Sequence, residues 1–137
     1  MSASQSIESI ALAIIDGYNA WDLDKLMEHR APECVHQILP KSLGREPLGN
    51  DAYRAYFTRI MPLFRDFRVS VHNTIVGDKE VALQATSTAD TDAGPYANEY
   101  VLIFTFNEAG DKVIRVQEFV DSHNSVTFFP KLWALIK

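Results

Sequence analysis

Beyond Asp66 the apolar pattern changes period, and that change restricts the possible folds more than any other feature of the chain. Before it, hydrophobic residues recur at helical spacing. After it they alternate with polar ones, as on strands buried on one face. Phe67, Val69, Val71 and Ile75 alternate with Arg68, Ser70, His72 and Thr74. Gly77-Asp78 reads as a turn and residues 80–89 as the second strand of a hairpin. A polar loop over 89–95 leads into a long strand from Tyr96 to Phe106. Glu108-Ala-Gly-Asp111 is a further turn, and Val113 to Val120 a further strand.

The first half is helical. Ile7, Ile10, Ala11, Ile14, Ile15 and Tyr18 have the spacing of an amphipathic helix, weakened at its end by Asp16-Gly17 and Asn19. Trp21 follows in a turn. Asp22 is placed to cap a short second helix carrying Leu23, Leu26 and Met27, with Arg30 at its end and Pro32 closing it. Residues 34–39 alternate as a strand stopped by Pro40, and 41–49 form a loop. Asn50 is expected to cap a third helix with Tyr53, Tyr56, Phe57, Ile60, Met61 and Phe64 on one stripe. Pro62 predicts a kink or an early end there, since it removes a backbone donor. The apolar tail over 128–136 forms a last helix or packs across the sheet. Helices followed by a strand meander make an α+β fold. A strongly curved sheet wrapped around a helix leaves a cone-shaped pocket open at one end. With no repeats or linkers, residues 1–137 read as a single domain.

Composition narrows the function classes. A content of 47% hydrophobic residues is enough for a core in 137 residues. The net charge of −5, with Lys and Arg scattered among the acids, argues against nucleic acid. No apolar run approaches the roughly 18 residues that span a bilayer. The N-terminus lacks the basic start and apolar centre of a secretion signal. A lone cysteine, Cys34, rules out an internal disulfide framework and suits a reducing compartment. A soluble cytoplasmic domain is expected.

Tyr96, Asn98 and Tyr100 share one strand face, where two phenols and an amide are poor core material. Glu118 shares a face with Ile114, Val116 and Val120. A carboxyl among those neighbours is either desolvated, which raises its pKa toward that of a general acid or base, or held in an ion pair with Arg30 or Arg115. Tyr96 and Tyr100 serve either as donors to a substrate oxygen or as ordinary half-buried strand tyrosines. His36, between Cys34 and Ile38, is a proton shuttle or a satisfied core histidine. Arg30 binds a substrate oxygen or holds Glu33 or Glu118. Asp121 has the opposite parity to Glu118, so it is a second acid only across a bulge, and otherwise a cap with Ser122. Trp21, Tyr18, Tyr53, Phe57 and Trp133 supply apolar walls.

The histidines, at 29, 36, 72 and 123, have no metal-ligand spacing and Cys34 has no CxxC partner, so no metal site is expected. Dinucleotide and phosphate loops are missing, as is the Gly-x-Ser-x-Gly elbow. Cofactor-free acid–base chemistry is what remains.

Several motifs, spread over nearly the whole chain, resemble the SnoaL-like polyketide cyclase family of the nuclear-transport-factor-two-like superfamily, in its fungal secondary-metabolism branch. They are Arg30-Ala-Pro-Glu-Cys34, His36-Gln-Ile-Leu-Pro40 with Ser42-Leu-Gly44, Met61-Pro-Leu-Phe64 into Asp66-Phe67, Tyr96-Ala-Asn-Glu-Tyr100 and Glu118-Phe-Val-Asp-Ser122. The resemblance implies a cone-shaped, mixed or antiparallel sheet around N-terminal helices, and a homodimer packed through its sheets. It implies an isomerase or cyclase that acts without cofactor on a hydrophobic polyketide- or terpenoid-like substrate. Glu118, His36, Tyr100 and Tyr96 would be the catalytic groups, with Arg30, Asp121, Asn98 and Trp21 contacting substrate. The family also contains non-catalytic members, so a small-molecule-binding module is the alternative. A dimeric scaffold is a third reading, marked by a cavity below a few hundred Å³.

Overall fold

The computed structural model describes residues 6–136; part of the N-terminal segment read above as lacking a signal lies outside that range. Helix α1 spans Ile7–Asn19, its start capped by Ser6, whose Oγ accepts from the Ser9 amide at 3.1 Å. Helix α2 spans Leu23–Met27, and Asp22 caps it as expected, accepting from the Lys25 amide at 3.1 Å. Strand β1 is Arg30–Leu39, α3 is Asn50–Ile60, and the long strands β2, β3, β4 and β5 are Arg65–Val76, Glu80–Asp90, Tyr96–Phe106 and Val113–Val120. Two short helices, α4 at Ser122–Thr127 and α5 at Phe129–Trp133, close the chain. No described helix is long and apolar enough to cross a membrane.

The five strands form one sheet in the order β1-β5-β4-β3-β2. Only β1 and β5 run parallel; the others follow the antiparallel meander that the turn signals predict. Alternation places Val81, Leu83 and Ala85 of β3 on the same face as Leu102, Phe104 and Phe106 of β4, and all are buried. Ile10 and Ile14 of α1 cover them, each at most 2% exposed. A second apolar cluster joins Leu26, Tyr53, Phe57, Ile60, Phe64 and Tyr96 to Leu132 of α5. The sheet is thus lined on its inner face by α1 and α3, giving the mixed α+β cone.

Gly17 is where α1 and α2 meet. A Cβ there would lie 2.6 Å from the Leu26 amide nitrogen and 2.7 Å from its Cα, so only glycine permits this approach.

Four local expectations are corrected. Gly49, not Asn50, caps α3; Asn50 is the first helical residue and its Nδ2 donates to the Ala31 carbonyl at 2.9 Å. Helix α2 stops at Met27, well before Pro32, and β1 begins at Arg30 and runs through that proline. Strand β1 is a sheet edge, where a missing N–H is tolerated. Arg30 is therefore a strand residue. The alternation of β2 breaks at His72, where the pairing shifts between Val71 and Asn73, and this bulge turns Ile75 to the outer face at 63% exposure. Pro62 acts as predicted: α3 ends at Ile60 and a 3-10 turn covers Met61–Leu63.

Candidate functional site

A cavity of about 80 Å³ lies between the inner sheet face and the helices. Its walls are mostly aromatic. Tyr18 comes from α1, Tyr53, Tyr56 and Phe57 from α3, Tyr96 and Tyr100 from β4, and Phe129 from α5. Trp21 closes the end between α1 and α2. It sits at φ +53°, a left-handed conformation that costs about 1–2 kcal/mol. Its Nε1 donates to the Met61 carbonyl at 3.1 Å and its ring stacks on Phe67 with centroids 4.5 Å apart, which hold it there. Among the described residues Glu118 is the one carboxylate on the cavity wall.

Parallel pairing of β1 with β5 sets His36 beside Val116 and Ile38 beside Glu118, so the inner faces of the two strands bring His36 and Glu118 together. His36 Nε2 lies 2.8 Å from Glu118 Oε1, with side-chain exposures of 1% and 19%. On the other side of the ring, Arg30 Nη2 lies 2.9 Å from His36 Nδ1. Neither ion pair expected for Glu118 forms. Arg30 reaches it only through the imidazole, and Arg115 sits 3.9 Å from Glu80 instead. Tyr53 lies flat against both partners: its ring is 4.4 Å from that of His36 at 22°, and Arg30 Cζ is 4.2 Å from its centroid. Burial is the main influence on His36 and pushes its pKa below the ordinary histidine value, against the pull of the Glu118 hydrogen bond.

The polar residues of β4 form a second network. Asn98 Oδ1 accepts from the Glu99 amide, which leaves Nδ2 to donate to Tyr96 Oη at 2.8 Å. Tyr96 and Tyr100 oxygens are 3.0 Å apart, and Tyr100 Oη is 2.6 Å from Ser87 Oγ. Asn98 thus supports a tyrosine from behind and is not itself on the cavity wall. Burial lifts Tyr96 to about 12 and Tyr100 well above the usual phenol value, so both stay protonated donors at neutral pH.

Asp121 is exposed and away from the cavity. It caps α4, its Oδ1 accepting from His123 and Asn124 amides at 3.1 and 3.4 Å, so the capping alternative holds and the second-acid role does not. Trp133 lies outside as well, on a surface groove with Leu43, Arg45 and Val126. Ser87 carries no motif of its own, although alternation with Val81, Leu83 and Ala85 puts it on the inner face, opposite Asn98. Tyr18 and Tyr53 are more than apolar wall: their hydroxyls lie 2.6 Å apart, and burial pushes Tyr18 to about 12.

Comparison with known proteins agrees with this fold. The model of the SnoaL-like domain matches residues 11–116. A protein called monooxygenase AacuP, from Aspergillus aculeatus, is 33% identical over 125 residues, covering 90% of this chain and 86% of the relative. Core atranone cluster protein 11 of Stachybotrys chlorohalonatus is 34% identical over 123 residues, covering 88% and 91%. The crystal structure of the BvnE pinacolase from Penicillium brevicompactum superposes with a TM-score of 0.88 at 30% identity, over 96% of each chain. With the family model matching over residues 11–116 and the fold in agreement, the chain belongs to the SnoaL-like domain family, within the nuclear-transport-factor-two-like fold, and its relatives include proteins of fungal secondary metabolism.

Proposed function

We propose that the protein is a cofactor-free isomerase or cyclase that moves a proton within a hydrophobic, oxygen-bearing polyketide- or terpenoid-like intermediate. The observation that supports this best is a single carboxylate, Glu118, on a mostly aromatic, otherwise uncharged cavity wall that also carries phenols. Glu118 takes a proton from one position of the substrate and returns it to another, so the mass does not change. Tyr96 donates to the substrate oxygen on which negative charge develops, with the Tyr100 hydroxyl donating to Tyr96 behind it. Trp21 and Phe57 hold the apolar body. The 30% identity to a protein named a pinacolase is in keeping with a rearrangement.

Cavity size supports a different reading. About 80 Å³ holds a few waters at roughly 30 Å³ each and is below the few hundred Å³ of ordinary ligand pockets. That favours a scaffold whose cavity side chains fill. Against it stand the polar groups, for which a filled core has no use. Phe129 lines both this cavity and the outer groove of about 380 Å³, so its ring is the partition between them.

Several relatives carry the name monooxygenase, which suggests a second reaction in which O2 gives one atom to the substrate and the other leaves as water, with two electrons and two protons from the substrate or an external reductant. One experiment separates these readings: a metabolite profile of the source organism, wild type against Glu118→Gln. An accumulated intermediate equal in mass to the missing product supports isomerisation. A missing product heavier by one oxygen atom supports the oxidation, and an unchanged profile with a folded variant supports a binding or scaffold role.

A further inference from the structure

The contacts around His36 determine which of its nitrogens carries the proton. An arginine side chain has N–H donors only, so at 2.9 Å from Arg30 Nη2 the Nδ1 atom must be the acceptor. An imidazole with a bare Nδ1 carries its proton on Nε2, the atom 2.8 Å from Glu118 Oε1. Turning the ring over would set carbon atoms against both partners, so the ring orientation follows from the same contacts. We infer that Arg30 locks His36 as the neutral Nε2–H tautomer, which makes both of them positioning residues for Glu118 and leaves the carboxylate as the proton carrier of the trio. This rests on the role proposed for Glu118 and sharpens it.

The surroundings oppose any other state. A proton added to Nδ1 would displace the Arg30 hydrogen bond and place an imidazolium beside a guanidinium. The groups facing the ring are Arg30 on the same strand, Glu118 on β5, the neutral phenols of Tyr53 and Tyr18, and the more distant Arg45. A charged His36 would thus make a third cation against one carboxylate. In the neutral state the chain of bonds transmits charge instead. Arg30, only 7% exposed and without a direct carboxylate partner, is balanced by Glu118 across the imidazole. Its Nε and Nη1 have no hydrogen-bond partner among the described residues. Glu118 Oε1 is occupied by the Nε2 proton, so it is Oε2 that is left to exchange protons with a ligand.

The test is a two-bond proton–nitrogen NMR spectrum of the imidazoles, with His36 assigned by its loss in His36→Gln. The expected result is an Nε2–H pattern for His36 at pH about 7, with any protonation on acidification setting in below the ordinary histidine value. An Nδ1–H pattern, or an imidazolium at neutral pH, overturns the inference. In Arg30→Met, His36 should bind protons at least about tenfold more tightly, while Arg30→Lys, which keeps a charged donor, should retain the wild-type tautomer. A folded Arg30→Met variant with an unaltered His36 pattern overturns the role of Arg30. If that variant does not fold, the wild-type spectrum decides alone. No substrate enters the measurement, so failure of the Glu118→Gln metabolite profile with the tautomer intact sinks only the proposed reaction.

Discussion

Every tyrosine of the chain lines the cavity: Tyr18, Tyr53, Tyr56, Tyr96 and Tyr100. Burial is the largest cause in each case and raises all of them above the ordinary 10.0, Tyr18 and Tyr96 to about 12. A phenol with a raised pKa keeps its proton in the folded chain after the unfolded chain has released it. Stability therefore falls as pH rises from about 10, and for Tyr18 and Tyr96 it goes on falling to about 12. At pH 11 each of these two shifts costs about 1.4 kcal/mol, so the pair removes roughly 3 kcal/mol. Set against a typical total of about 5–15 kcal/mol, and with three more tyrosines acting in the same direction, that places alkaline unfolding near pH 11. The assay is tyrosinate absorbance followed together with far-ultraviolet circular dichroism. Absorbance should stay flat to about pH 10.5 and then rise in one step with loss of the dichroism signal. A graded rise centred near pH 10 in protein that keeps its dichroism would refute the reasoning, because it would mean phenols open to water.

Two further outcomes follow. Gly17→Ala should destabilise the fold by at least about 2 kcal/mol in urea denaturation, since the new methyl must push aside Leu26 backbone atoms 2.6–2.7 Å away. In an isolated helix the same change would stabilise by up to about 1 kcal/mol, so a more stable variant would show that α1 and α2 do not pack this closely. The outer sheet face exposes Val35, Val101 and Phe119, at 38%, 40% and 49%, together with Ile75 beyond the bulge. We expect a homodimer through this face, with Phe119→Lys giving a monomer in sedimentation velocity at micromolar concentration; a monomeric wild type would sink that expectation.

How much could be read in advance depended on the range of the contacts involved. The bounds of β4 and β5 follow from alternation and turn residues, both local signals, and the structure reproduces them residue for residue. The shared face of Tyr96, Asn98 and Tyr100 is legible for the same reason, as is the apolar wall of Trp21 and Phe57. Strand β1 is longer than its alternation suggests because proline is a reliable break only inside a sheet, and Pro32 stands at an edge. That one misplaced boundary put Arg30 on a helix and hid its bond to His36. The partner of Glu118 was equally hidden, since it depends on a parallel register between residues 82 apart in sequence. The His72 bulge has no sequence mark at all, because its residue types suit a regular strand.

The file of hydroxyls behind the cavity wall has a consequence for what the site can greet. Asn98 can only donate to Tyr96, its carbonyl being engaged by the Glu99 amide. In one sense of rotation the hydrogens then run Asn98 to Tyr96 to Tyr100 to Ser87, and the two phenols show only lone pairs to the cavity. In the other, Ser87 donates to Tyr100 and Tyr100 to Tyr96, which frees the Tyr96 hydrogen for a ligand. Three O–H rotations, with no heavy atom displaced, turn the wall from acceptor to donor. A single rigid pocket can therefore hold a ketone or its enol tautomer without rebuilding itself between the two.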